Sequence, residues 1–233
     1  MGETDDDYLA LGDHLAESLE LHAGLRPDSR VLDIGCGYGR LPHALARRGF
    51  EGTYLGVDVL APHISWCARN LGSPGFRFRH LDVRNGRYNP GGSRTADQVR
   101  LDEGAFDVVA VFSVFTHMWP DDVLAYLRLI STCLASDGRA LATFFLLDDE
   151  WRRRAESGAA RLKFPHAHSP VCRYESLEDP LLTVGYESDW VEREAGPAGL
   201  ALTRPPVPGT WSGRPVDPEQ RPGYQDTVTL ARA

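Results

Sequence analysis

This 233-residue sequence lacks the marks of several large protein classes. Its four cysteines, Cys36, Cys67, Cys133 and Cys172, contain no C-x-x-C pair and no paired spacing. That argues against a disulfide framework and for reduced thiols. Basic residues are outnumbered, 25 Lys and Arg against 33 Asp and Glu, for a formal charge of −8. Tight nucleic-acid binding draws on clustered positive charge, so a polyanionic partner is not expected. No apolar run reaches the ~20 residues that span a bilayer. The acidic start is unlike a signal peptide, and Met1-Gly2 lacks the hydroxyl residue at position 6 that a myristoylation signal needs, Asp6 standing there. The expectation is a soluble, cytoplasmic protein with no membrane or nucleic-acid partner, a homo-oligomer being left open. Asp5, Asp6 and Asp7 read as a solvated tail, and nothing nearby completes a metal ligand set. The hydrophobic share of 42% suits one domain with a full core, so residues 1–233 read as a single domain.

What is present centres on residues 31–40, Val-Leu-Asp-Ile-Gly-Cys-Gly-Tyr-Gly-Arg. A short apolar run meets an acid, three alternate glycines and the opening of a helix. Glycine takes φ > 0 without penalty and lets a ligand lie against the backbone, so Gly35, Gly37 and Gly39 read as a cradle. A dinucleotide fingerprint needs G-x-G-x-x-G, and its last position here is Arg40. Asp33 agrees, because a carboxylate there repels a pyrophosphate and attracts a cationic ligand. Opposite charges ~4 Å apart at an effective dielectric of ~20 attract by roughly 4 kcal/mol before desolvation. A cationic nucleoside fits better than a dinucleotide.

The remaining pattern alternates strands and helices. Strands are expected at 30–34, 53–58, 76–81, 106–114 and 139–147, and helices at 13–23, 39–48, 61–71 and from Pro120. Residues 84–104 read as a long loop with at most a short helix, and Asp137-Gly138 as a turn. This order argues for an α/β, doubly wound parallel sheet. The alternation lapses from Asp148 to about Thr183, too long for an ordinary connection, and 148–183 is expected to be a cap insertion over the acceptor side. A last helix at 188–195 and strands near 200–203 and 227–231 complete the chain.

Asp33-x-Gly35-x-Gly37-x-Gly39 after a strand resembles the nucleotide loop of class I S-adenosylmethionine-dependent methyltransferases. The resemblance covers about residues 26–147, and Ser113-Val-Phe-Thr-His117-Met with the loop 85–91 is similar to a bacterial small-molecule branch. It implies a seven-stranded, mostly parallel sheet of order 3-2-1-4-5-7-6. It also implies S-adenosylmethionine as cofactor and methyl transfer by in-line displacement to a hydroxyl or amine of a small polar metabolite, in natural-product or sugar chemistry. Two alternatives stay open: non-methylating chemistry with the same cofactor, and a non-catalytic binding protein on the fold.

The resemblance places Gly35, Cys36, Gly37 and Gly39 against the cofactor, Asp58 at the ribose hydroxyls, Val59 as an apolar contact, and Asp82 with the backbone of Val83 at the adenine, while Arg40 stands where the family loop often has a small residue. For Arg40 the residues alone allow either a cofactor carboxylate or an acid of the leading helix as partner. Phe112 and Ser113 end the fourth strand beside the cofactor, and His117 falls near the transferable methyl. A neutral imidazole takes a proton near pH 7, so His117 is either a general base or a packing residue. Tyr8, Trp119, Trp211 and Arg214 are candidate acceptor contacts, with Tyr224-Gln225-Asp226 flanking the same late loop. His166, His168 and Cys172 have no fourth ligand at a recognisable interval and read as polar cap residues.

Overall fold

A computed structural model describes residues 4–101 and 104–233. Met1-Gly2 and two residues of the expected 84–104 loop lie outside the described residues. The chain opens with helix α1 (Asp5–Ala23), so the three acids expected as a tail form its first turn. Thr4 and Asp7 close a capping box, each side chain accepting from the other's backbone N–H. Acids there also complement the positive end of the helix. Strand β1 (Arg30–Ile34), helix α2 (Arg40–Arg47), β2 (Thr53–Asp58), α3 (Ala61–Asn70) and β3 (Phe76–His80) follow close to the expected bounds.

Strand β4 (Phe106–Val111) stops three residues early, because Ser113 turns the chain with φ at 55°. A short turn at Phe115–His117 and helix α4 (Pro120–Cys133) come next. Strand β5 (Leu134–Phe144) begins directly after α4 and runs through the expected Asp137-Gly138 turn. The register against β4 slips between Phe106 and Val108 there. A Cβ on Gly138 would sit 2.8 Å from the Phe106 carbonyl oxygen, so only glycine passes at this irregularity.

The chain then leaves the main sheet for β6 (Leu146–Leu147), α5 (Asp149–Ser157), β7 (His166–Ser169), β8 (Cys172–Tyr174) and β9 (Val184–Glu187). These strands form a separate four-stranded sheet, β6-β9-β8-β7. Helix α6 (Ser188–Ala195), β10 (Leu200–Leu202) and β11 (Asp226–Arg232) return to the first sheet. That seven-stranded sheet has the order β10-β11-β5-β4-β1-β2-β3, with β11 antiparallel to both neighbours. It is the order the resemblance implies.

Successive residues of a strand point to opposite faces, and here both faces are covered. Val31 and Val108 pack with Leu19, Leu41 and Leu45 of α1 and α2, while Leu32 and Val109 pack with Leu127 and Ile130 of α4. Val123, Leu127 and Ile130 are fully buried, each contributing roughly 1.5–3 kcal/mol. The strand ends that bear the glycine loop, Asp58 and Ser113 are thus held on a rigid support.

Candidate active site

The glycine loop is tied to β2 by the Gly35 and Cys36 N–H groups, which donate to the Val57 carbonyl at 2.7 and 3.1 Å. Gly35 has φ of 80°, and a Cβ on it would come within 2.3 Å of a Val114 methyl. Gly37, with φ of 52°, has nothing within 4 Å of such a Cβ, so its backbone borders open space. Two cavities, of about 280 and 260 Å³, meet on this loop and share Gly35, Gly37, Arg40, Phe112 and Ser113. They open at the carboxyl ends of β1 and β4, beside the switch in strand order where open α/β sheets bind ligands.

Asp58 borders the first cavity and is 9% exposed. Its carboxylate accepts the Gly37 N–H at 2.9 Å and the Leu60 N–H at 2.8 Å, so it braces the glycine loop and the start of α3 together. Each carboxylate oxygen keeps a further lone pair for a ligand. Val59, Leu60 and His63 extend this wall.

Asp33 borders the second cavity at 4% exposure. The Tyr54 hydroxyl donates to its Oδ2 at 2.6 Å. Burial pushes the Asp33 carboxyl up to about 7, against the lowering effect of the Tyr54 hydrogen bond and with a smaller push from the charge on Asp58. A buried acid of this kind is stabilised by any cation brought beside it.

His117 borders the first cavity. Its Nδ1 lies 3.0 Å from the Leu181 carbonyl oxygen, which only accepts, so Nδ1 carries the proton and the neutral ring keeps its lone pair on Nε2. Burial lowers its pKa, with the Leu181 and Leu182 carbonyls opposing the shift. The turn that bears it is pinned from behind. The Tyr186 hydroxyl lies 2.8 and 2.6 Å from the carbonyl oxygens of Phe115 and Met118, and Asn85 Nδ2 donates to the His117 carbonyl at 3.2 Å. Tyr88 meets the imidazole edge-on.

Several expected site residues go elsewhere. Asp82 borders neither cavity; its carboxylate accepts from Ser93 Oγ at 2.5 Å and Asn89 Nδ2 at 3.2 Å, latching the 85–94 loop. The Val83 N–H donates to the Leu81 carbonyl at 2.8 Å. In this structure the pair holds the loop, and neither Asp82 nor Val83 lines the two cavities. Trp211 is fully buried among Phe145, Trp151 and Phe164, and its indole N–H donates to Asp226 at 2.7 Å. Arg214 makes a two-pronged ion pair with Asp148, both contacts at 2.9 Å. Both are structural, because an indole bonded to the buried Asp226 and a guanidinium paired with Asp148 are satisfied where they stand.

Trp119 stacks on His168 at 3.9 Å, and Tyr8 donates to the Tyr38 carbonyl at 2.9 Å; neither lines the two cavities at the glycine loop. Gly39 packs against α3, where a Cβ would lie 2.5 Å from Leu71. Cys36 does border the second cavity. None of residues 148–183 lines either cavity, and the segment reaches the first one through the Leu181 carbonyl behind His117. Missed by the sequence reading were Tyr88 and Asn85 of the long loop and Thr143 of β5. Gln225 carried a signal through its place beside Tyr224, and both border the second cavity.

A doubly wound sheet of this order, with an acid-and-glycine loop at the switch point, defines the class I methyltransferase fold. A family model described as "Methyltransferase domain" matches residues 8–189, and the chain belongs to this family of S-adenosylmethionine-dependent methyltransferases. It is 34% identical over 148 residues to the malonyl-(acyl-carrier protein) O-methyltransferase of Magnetococcus marinus, covering 61% of this chain and 48% of the relative. It is 36% identical over 111 residues to a ubiquinone biosynthesis O-methyltransferase of a Caulobacter species, covering 47% of this chain and 38% of that one. The chain thus spans about half the length, or less, of these curated relatives. Among solved structures it shares its fold with a TehB-like methyltransferase from Corynebacterium glutamicum, with a TM-score of 0.57 at 18% identity, covering 94% and 88% of the two chains. The magnesium protoporphyrin IX methyltransferase of Synechocystis, solved with bound S-adenosylhomocysteine, gives a TM-score of 0.58 at 15% identity over 100% and 90%.

Proposed function

We propose that this protein transfers a methyl group from S-adenosylmethionine to an oxygen or nitrogen of a small polar metabolite. The observation that carries this reading is the pair of cavities joined across Gly35 and Gly37, with one buried acid on each side. The residues fit the group. Gly37 leaves the loop open to a ligand, Asp58 offers lone pairs to a ribose diol, and Asp33 offers a charge partner to an ammonium. When bound, S-adenosylmethionine supplies an electrophilic methyl on a sulfonium. Among the described residues no group of three or more His, Cys, Asp or Glu is arranged to hold a metal ion, so no metal is assigned a role.

The chain's own residues then bind, orient and move a proton. The glycine loop and Asp58 hold one another through the Gly37 N–H, so the loop is preorganised before any ligand arrives. His117 takes the acceptor's proton on Nε2, since Nδ1 is committed to Leu181. Its lowered pKa keeps it neutral and ready for that task at physiological pH. Residues 148–183 are read as an insertion in a single domain, supporting the His117 turn. Calorimetry tests the cofactor: S-adenosylmethionine and S-adenosylhomocysteine are expected to bind, and NAD is not. Tight NAD binding without an S-adenosylmethionine signal would overturn the reading.

A further inference from the structure

Two buried thiols meet behind the glycine loop. Cys36 lies within the loop, between Gly35 and Gly37, and Cys67 faces it from α3. Cys67 Sγ donates to the Gly37 carbonyl at 3.4 Å, and Cys36 Sγ lies 4.0 Å from the same oxygen. The two thiols are also hydrogen-bonded to each other. That bond lowers the Cys67 pKa, against burial and the charges of Asp33 and Asp58, and raises that of Cys36. One proton therefore leaves the pair more readily than it leaves an isolated thiol. Neighbouring backbone crowds both sulfurs: a Cβ on Gly56 would lie 3.0 Å from Cys36 Sγ, and one on Gly39 would lie 3.2 Å from Cys67 Sγ. Access is one-sided. Cys36 is 8% exposed and borders the second cavity, while Cys67 is fully buried. Cys133 and Cys172 are buried and border neither cavity.

We propose that Cys36 and Cys67 are an oxidation site, where hydrogen peroxide entering by the second cavity joins them in a disulfide and disables the cofactor cradle. The loss of cofactor binding rests on the methyl-transfer reading; the disulfide itself does not. The pair loses one proton and keeps one between its sulfurs, so Cys36, the sulfur that reaches the cavity, attacks one peroxide oxygen. The O–O bond breaks, and the departing hydroxide takes up the released proton as water. Cys67 then attacks the Cys36 sulfenic acid: the S–S bond forms, the S–O bond breaks, and hydroxide leaves with the Cys67 proton as a second water. Two thiols give up two electrons, and one peroxide is reduced to two waters. Bonding removes the Cys67 S–H from the Gly37 carbonyl and draws Cys36 toward α3. The next residue, Gly37, donates its N–H to Asp58 and borders both cavities, so the cradle shifts with Cys36.

The test treats the reduced full chain with equimolar hydrogen peroxide. The intact mass is expected to fall by two hydrogens, and peptide mapping to show Cys36 linked to Cys67 with Cys133 and Cys172 still free. The Kd for S-adenosylhomocysteine in calorimetry is expected to rise at least about tenfold on linking, and dithiothreitol to restore it. Cys67→Ala, a change outside both cavities, is expected to bind S-adenosylhomocysteine as the reduced wild type does and to form no such link. A second measurement needs no variant. Coupling between binding and oxidation is reciprocal, so a tenfold preference for the reduced form shifts the thiol–disulfide equilibrium tenfold when S-adenosylhomocysteine saturates. The midpoint of the pair in a glutathione redox buffer is then expected to rise by about 30 mV. No link between Cys36 and Cys67, an unchanged Kd in the linked protein, or an unmoved midpoint overturns the proposal. Failure of S-adenosylhomocysteine to bind the reduced protein, with the link still forming, overturns the methyl-transfer reading instead.

Discussion

Replacing Asp33 by Asn isolates the cost of a buried acid at the glycine loop. Asp33 is 4% exposed and its carboxyl is pushed up from 3.8 to about 7, chiefly by burial. A folded-state pKa raised above the unfolded one means that the folded protein holds the proton more tightly. Stability from this group is full below about pH 3.8 and is lost as pH rises through about 7. Over these roughly three pH units, at about 1.4 kcal/mol each, the loss is on the order of 4 kcal/mol. Asn keeps the shape and an oxygen for the Tyr54 hydroxyl but does not ionise. Urea unfolding of both proteins across this range is expected to show the variant gaining on the wild type with rising pH, then a plateau above neutral. Parallel curves would refute the burial argument. The same group makes cofactor binding proton-linked, because an ammonium beside Asp33 charges it. Calorimetry with S-adenosylhomocysteine near pH 6 is expected to show proton release, read as a dependence of the binding enthalpy on buffer, and Asp33→Asn is expected to abolish it.

Asp58→Ala strands the Gly37 and Leu60 N–H groups, hydrogen bonds to a charged group each worth roughly 1.5–3 kcal/mol, so thermal stability is expected to fall and the Kd for S-adenosylhomocysteine to rise at least about tenfold. An unchanged Kd in calorimetry would move the ribose contact elsewhere. Asp82→Ala is expected to loosen the 85–94 loop, seen as faster amide exchange, while leaving that Kd essentially unchanged. A large loss of affinity would restore Asp82 to the site. His117→Ala is expected to lower kcat by about 10²–10⁴ with cofactor affinity preserved. The wild-type rate should fall on acidification through a pKa below 6.5, and that limb should be absent in the variant. Trp211→Ala removes a fully buried indole and its hydrogen bond to Asp226, at an expected cost of roughly 3–5 kcal/mol in urea unfolding. A cost under about 1 kcal/mol would contradict its place in the core.

Local chemistry made much of this protein legible in its sequence. Gly35, Gly37 and Asp33 are neighbours along the chain, and positive φ with a carboxylate at a strand end is a demand that residue types alone can signal. The buried stripe Val123, Leu127, Ile130 announces α4 because helical period and burial coincide. Contacts between distant segments were not legible. Whether Asp82 faces a ligand or Ser93, and whether Trp211 lines a site or a core, depends on where a loop folds back, which no local pattern encodes. The continuation of β5 through Asp137-Gly138 was decided by pairing with β4, which overrode a turn signal. The hydrogen bonds among Ser113, Thr143, Gln225 and Thr116 join residues up to 112 positions apart, and only the packed sheet brings these groups within reach. The sequence alone determined the alternation of strands and helices and the acid-and-glycine cradle, since each is specified by neighbours in the chain. The tertiary structure decided which polar side chains are spent on holding the fold and which are left facing the cavities, because hydrogen-bonding capacity is shared out only once distant elements have packed.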